Sequence, residues 1–156
     1  MKVKISIARS LDIDHPPEQV KTLFDDLEQT IGRFPKLRTL KKLGPDQYLW
    51  EMKPIGSRIA NIAHEVSYGA HYRIDATRSE LSWQPLPKQG NAQIEGRFRI
   101  TPNGSGTRLE FEVDGELLDV PVPLMYRLIA PSFIQMKFAA LVETFLERTD
   151  AALLEH

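Results

Sequence analysis

Over the first thirteen residues apolar side chains alternate with polar ones: Val3, Ile5 and Ile7, then Leu11 and Ile13. A period of two puts every second side chain on one face, so this stretch reads as a half-buried strand. Arg9 shares the apolar phase. Either a bulge turns it outward or its charge enters the interior, and the cost of an unpaired buried charge favours the bulge. At His15-Pro16-Pro17-Glu18 the period changes. Proline suits a first helical turn, where its missing N–H has no partner to lose, and Glu18 suits the positive helix end. Val20, Leu23, Phe24 and Leu27 then fall on one helical face, which Ile31 and Phe34 extend into a second short helix stopped by Pro35.

From Leu37 to about Leu118 the period returns to two. A short strand near Leu37 to Leu43 closes at Gly44-Pro45-Asp46, and the next carries Tyr48, Trp50 and Met52 on one face. A longer strand is predicted from about Arg58 to Asp75. In it Ala60, Ile62, His64, Val66, Tyr68, Ala70, Tyr72 and Ile74 share a phase, and Gly69 marks a candidate bulge. Leu81 to Gln84 reads as a short strand with Trp83 in phase with Leu81. Next, Ile94, Gly96, Phe98 and Ile100 oppose charged neighbours, and after the turn at 102–106 so do Leu109, Phe111 and Val113. Setting Phe98 against Phe111 also sets Arg97 near Glu112 and Arg99 near Glu110. Apolar face and charges therefore demand one register.

Pro121 and Pro123 close the sheet, Leu124 to Ala130 lead in, and Pro131 kinks or restarts a helix running from Ser132 to about Ala152. Phe133, Met136, Ala140, Val142 and Phe145 are among its apolar residues; Lys137, Glu143, Glu147 and Arg148 are charged.

Composition narrows the function classes. The 156 residues carry a formal net charge of −1, with 26% charged and 42% hydrophobic positions and no cysteine. Near-neutrality removes the field that draws in nucleic acid, so none is expected as a partner. Without thiols there are no disulfides, no thiolate catalysis and no sulfur-bound metal. The amino terminus lacks the apolar core of a signal peptide, and no apolar run approaches the roughly 18 residues of a membrane span. The expectation is a soluble, cytoplasmic chain. No cofactor is expected, and no metal, because His64 and His71 lie an odd number of residues apart and a regular strand sends them to opposite faces. Gly104-Ser105-Gly106 precedes a strand rather than a phosphate-binding helix, and no GxSxG occurs.

The order strand, two short helices, six strands, long helix resembles the START-like or helix-grip superfamily (SRPBCC), which includes polyketide cyclases, pollen allergens, lipid-transfer domains and coenzyme-Q-binding proteins. Leu11 to Val20, with its strand–proline–helix opening, Phe34-Pro35, and Gly106-Thr107-Arg108-Leu109 carry the resemblance. It implies an α+β fold: a curved seven-stranded antiparallel sheet, two short helices after strand 1, and a long C-terminal helix on the concave face. That helix and face would enclose a ligand cavity. One domain is expected over residues 1–153, with 154–156 read as an expression-tag remnant. The superfamily has no universal catalytic residue to transfer.

The strand phases aim Tyr48, Trp50, Met52, His64, Tyr68, Tyr72, Trp83, Phe98 and Phe111 at that helix, with Phe133 and Met136 as its contribution. An ordinary core needs such bulk, but tyrosine hydroxyls and an imidazole seek partners when buried, which suits a pocket for an amphipathic ligand. His64 is the one candidate acid–base group with a pKa near neutrality, although a lone histidine is as often structural. Arg33, Lys36, Arg38, Lys41 and Lys42 form a basic cluster, read as solvated surface or as steering for an anionic ligand. Three functions follow. The first is binding, as carrier or sensor, of a small hydrophobic or amphipathic molecule such as a lipid, quinone, polyketide or aromatic compound. The second is a cyclase or dehydratase using His64 or a tyrosine. The third is a protein-interaction module with a filled core.

Overall fold

A computed structural model describes residues 1–57 and 62–154. Strand β1, Val3–Ile13, is followed by helices α1, Pro17–Asp25, and α2, Leu27–Gly32. Strands β2 (Leu37–Gly44), β3 (Gln47–Met52), β4 (Ile55–Ser57), β5 (Ile62–His64), β6 (Ser67–Ile74), β7 (Glu80–Gly90), β8 (Ala92–Asn103) and β9 (Gly106–Leu117) come next. A 3-10 turn at Leu124–Tyr126 leads to α3, Ala130–Leu154. Seven strands form one antiparallel sheet in the order β1-β9-β8-β7-β6-β3-β2, while β4 and β5 pair separately. This is the helix-grip arrangement: an open antiparallel sheet, two short helices after the first strand, and one long C-terminal helix.

The β8–β9 hairpin has the register its side chains demand. Phe98 opposes Phe111, Arg97 opposes Glu112 and Arg99 opposes Glu110. The aromatic centroids stand 4.5 Å apart on one face, and Arg97 reaches Glu112 at 2.8 Å on the other. Pro17 opens α1 and Pro131 sits in the first turn of α3, so Pro131 starts that helix rather than kinking it.

Four expectations are corrected. The long strand from Arg58 to Asp75 is two strands, interrupted at Glu65-Val66, and His64 pairs with Ile55 of β4 instead of continuing the row of Tyr68 and Tyr72. The expected positions from Arg58 to Ala60 lie outside the described residues, as do Glu155 and His156. The strand holding Trp83 is longer than expected, because Pro85 to Gly90 stay paired with β6 through a bulge. Tyr68 faces Gly90, whereas Ala70 faces Pro85. Gly69 sits opposite that bulge, where a Cβ would come within 2.8 Å of Gln89. Arg9 is not turned out by a bulge: β1 pairs with β9 without interruption, Arg9 opposite Phe111. Its side chain stays exposed and meets Glu143 of α3 at 3.2 Å, so no charge is buried and no bulge is needed.

The fourth concerns the face of α3. Its buried residues include Ile134, Phe138, Leu141, Val142, Phe145, Leu146 and Thr149, whereas Met136 is 57% exposed and Ala140 is exposed too. Phe138, Leu141, Val142 and Phe145 are spaced i, i+3, i+4, i+7, the period of one helical face. Gln135 anchors the helix to the sheet's edge: its amide accepts from Ser6 N–H at 3.0 Å and donates to Ser6 C=O, supplying the partner a neighbouring strand would have given.

The Gly106-Thr107 pair explains itself structurally. Thr107 is buried and its hydroxyl donates to His15 C=O at 2.7 Å, while a Cβ on Gly106 would stand 2.4 Å from Ile13 C=O. Two of the three sequence signatures that carried the resemblance, near residues 11–20 and 106–109, thus form one clasp between the start of β9 and the turn into α1.

Candidate functional site

Alternation in β3, β6, β7, β8 and β9 places Trp50, Tyr68, Tyr72, Trp83, Phe98 and Phe111 on one face, and α3 lays Phe138, Val142 and Phe145 against them. Between them is a cavity with about 30 Å³ open to the centres of water molecules. One water needs about 10–15 Å³ of such space, so the cavity holds roughly two. The aromatic rings form a continuous lattice around it. Trp50 stacks on Tyr68 at 5.1 Å, Tyr72 contacts Trp83 at 5.7 Å, and Phe145 touches Phe98 and Phe111 at 5.5 and 5.9 Å.

Seven of the eleven expected site residues line this cavity: Trp50, Met52, Tyr68, Tyr72, Trp83, Phe98 and Phe111. Tyr48 is buried in the same row but stands apart from the lining. Its hydroxyl donates to Glu28 at 3.1 Å, and burial, with Glu28 adding to it, raises its pKa. Phe133 is half-buried at the margin with the Lys137 ammonium 5.4 Å from its ring centroid, and Met136 points to solvent. Both stand clear of the lining. His64 also lies off it; its Nε2 is buried without a partner among the described residues, and desolvation lowers its pKa against the pull of Asp119 and Glu65.

The polar groups of the lining are few and of one kind. Trp50 Nε1 donates to Tyr72 Oη at 2.8 Å, which uses a phenol lone pair and leaves the Tyr72 proton to donate elsewhere. Trp83, only 5% exposed, keeps its Nε1 buried with no acceptor among the described residues. Burial raises the pKa of Tyr68 and of Tyr72 well above that of a free phenol, so both stay protonated. No carboxylate, imidazole, ammonium or guanidinium is found among the described lining residues. The site offers donors and apolar surface, without charge.

Some contributors escape a reading by alternation. Thr30 and Ile31 enter from α2 and Phe34 from just beyond its end, and Phe138 enters from α3 on the face of Val142 and Phe145. Gly96 matters by what it lacks: a Cβ there would meet the Trp83 ring at 2.5 Å, so its hydrogen lets the indole lie across β8. In the basic cluster, Arg38 pairs with Glu65 at 3.1 Å and Lys41 with Glu51 at 2.9 Å, which leaves less free charge for steering than the sequence promised.

An open antiparallel sheet gripping a C-terminal helix around an aromatic cavity defines a START-like, helix-grip fold, and solved structures bear this out. A START superfamily protein from Mycobacterium smegmatis matches with a TM-score of 0.66 at 16% identity, over 96% of this chain and 97% of its own. Norcoclaurine synthase from Thalictrum flavum, solved with a transition state analogue, matches with 0.63 at 12% identity, over 100% and 98%. The di-domain aromatase/cyclase StfQ of the steffimycin biosynthetic pathway matches with 0.63 at 14% identity, over 98% of this chain and 52% of StfQ. No family model and no curated protein matches the sequence.

Proposed function

We propose that this chain binds a small, uncharged, largely apolar molecule between the sheet and α3, as a carrier or sensor. The observation that carries the reading is the buried Trp83 N–H, without an acceptor among the described residues, in a charge-free lining whose other polar side chains are the hydroxyls of Thr30, Tyr68 and Tyr72. A buried donor without an acceptor costs about 1–3 kcal/mol, and a ligand's carbonyl or ether oxygen would recover that cost. An ionised ligand would lose its hydration and gain no counter-charge. The chemical classes that fit are ketones, quinones, esters and aromatic compounds with an acceptor oxygen. Such a ligand is larger than the space present, so binding would swing lining side chains aside.

The enzyme reading draws on StfQ and norcoclaurine synthase, whose fold this chain shares. It asks for an acid–base group at the substrate. His64 lies off the lining, and protonated phenols of raised pKa are poor bases at neutral pH. The small volume favours a different alternative, a filled core in a protein that acts through its surface.

Native mass spectrometry after gentle purification, with extraction of bound organic compounds, tests the proposal. Titration with 2-acetylnaphthalene, followed by tryptophan fluorescence, supplies the second arm. Saturable binding that weakens about threefold to tenfold in Trp83→Phe is expected, the worth of one hydrogen bond. A protein that carries no organic molecule and leaves its fluorescence unchanged by the ketone would select the filled core.

A further inference from the structure

Helix α3 has two apolar faces, and the sheet covers one of them. Ile134, Phe138, Leu141, Val142 and Phe145 face inward. At 3.6 residues per turn, Ile129, Phe133, Met136 and Ala140 form a second stripe about half a turn away. Ile129 belongs to that stripe because its carbonyl accepts the N–H of Phe133 at 3.1 Å. The preceding turn adds Leu124, Met125 and Leu128, which are 79%, 80% and 97% exposed, beside Ile129 and Met136 at 57% each. Scattered exposed leucines need no explanation, but one run of chain that offers this much apolar surface to water does.

The charges on that run are of one sign. From Val120 to Val142 the chain has no aspartate or glutamate, and its two cations are Arg127 and Lys137. Neither pairs with a carboxylate among the described residues, and Lys137 instead rests over the Phe133 ring. Tyr126, next to Arg127 in the chain, is half-buried. Apolar side chains fringed by unpaired cations, with an aromatic or two at the boundary, suit the plane where acyl chains meet anionic headgroups. A second copy fits poorly, since a two-fold contact sets this surface against itself and offers Arg127 and Lys137 cations but no carboxylate. The stripe ends where acids return, at Glu143 and Glu147.

We propose that residues 124–140 form a peripheral docking surface for an anionic lipid bilayer, with Leu124, Met125, Leu128 and Met136 entering the headgroup boundary and Arg127 and Lys137 meeting the phosphates. The surface is separate from the cavity, and its test stands apart from ligand binding. Flotation with vesicles of phosphatidylcholine alone, and of phosphatidylcholine with about one third phosphatidylglycerol, reads it directly. Binding to the anionic vesicles only is expected, weakening as salt rises and falling about fivefold for each cation neutralised in Arg127→Gln and Lys137→Gln. Leu128→Asp with Met136→Asp removes it, while circular dichroism stays unchanged because both positions are exposed. The proposal is overturned by absence from both vesicle fractions, or by equal flotation of the double variant. A concentration-dependent dimer that the double variant disperses also overturns it, naming a second copy as the occupant.

Discussion

The Nε1 of Trp50 donates to the hydroxyl of Tyr72 at 2.8 Å, across two neighbouring strands and inside the aromatic lattice. The bond gives an indole N–H its acceptor and orients the phenol so that its own proton is free for another partner. Tyr72→Phe deletes the acceptor and leaves the Trp50 donor buried. A loss of about 1–3 kcal/mol is expected in urea denaturation, and Trp50→Phe, by removing the donor with its partner left able to bond elsewhere, loses less hydrogen-bond energy. A double-mutant cycle with non-zero coupling checks that the pair acts as a unit.

Gly96 and Trp83 are matched in the same way, by space rather than by a bond. An alanine methyl at 96 meets the indole at 2.5 Å and Glu112 C=O at 2.7 Å, and neither a ring in a packed core nor a paired strand yields cheaply. Gly96→Ala therefore costs about 1–3 kcal/mol, the range of overpacked cores. The displaced Trp83 reports the change as a shift in its emission. An unchanged spectrum and unchanged stability would mean that the indole does not rest on Gly96.

Phe145 is the α3 side chain that joins the two halves of the lattice, touching Phe34 at 5.6 Å as well as Phe98 and Phe111. Phe145→Ala costs about 3–5 kcal/mol and leaves a larger void. If the interior binds apolar molecules, small aromatics such as benzene restore part of the lost melting temperature by filling that void. Met136→Ala, on the opposite side of the same helix, changes stability by less than about 0.5 kcal/mol.

Thr107 and His15 give a test of the clasp. Thr107→Val keeps the shape and removes the hydroxyl that donates to His15 C=O, for a loss of about 0.5–1.5 kcal/mol. Because the clasp holds the turn before α1, hydrogen exchange at the start of α1 should quicken more than exchange in α3.

His64 sets the pH dependence near neutrality. Desolvation holds its folded pKa below the ordinary 6.5, with Asp119 and Glu65 opposing and the amino terminus reinforcing the shift. The unfolded imidazole then binds a proton more readily than the folded one, so stability rises with pH across the interval between the two values. Its contribution is complete above about 6.5 and is lost as the pH falls through the folded pKa. Glu51 and Asp75, whose pKa values are lowered chiefly by hydrogen bonds from Lys41 and Thr77, lose theirs only at more acid pH. Chemical denaturation between pH 5 and 7 should show a slope that His64→Gln flattens; an equal slope in both proteins would assign the titration to another group.

The sequence by itself determined the elements whose two sides differ. In β8 and β9 apolar residues alternate with opposite charges, so a slip of one residue would bury arginines and expose phenylalanines, and the register is legible without coordinates. The same holds for the row Tyr48, Trp50, Met52 and for the start of α1, where proline and an acid act locally. Tertiary structure alone decided the rest. Around α3 apolar residues occur on both sides, so periodicity cannot say whether Phe138 or Met136 meets the sheet; the sheet's position and the anchor from Gln135 to Ser6 choose. The break at Glu65-Val66 that sends His64 away from Tyr68 and Tyr72 lies inside a continuous alternation, because it is set by which strand each half pairs with. The size of the cavity was out of reach for a similar reason. The same aromatic row that promises a pocket also fills one, and only the packing of side chains from β3, β6, β7, α2 and α3 together decided how much space remains.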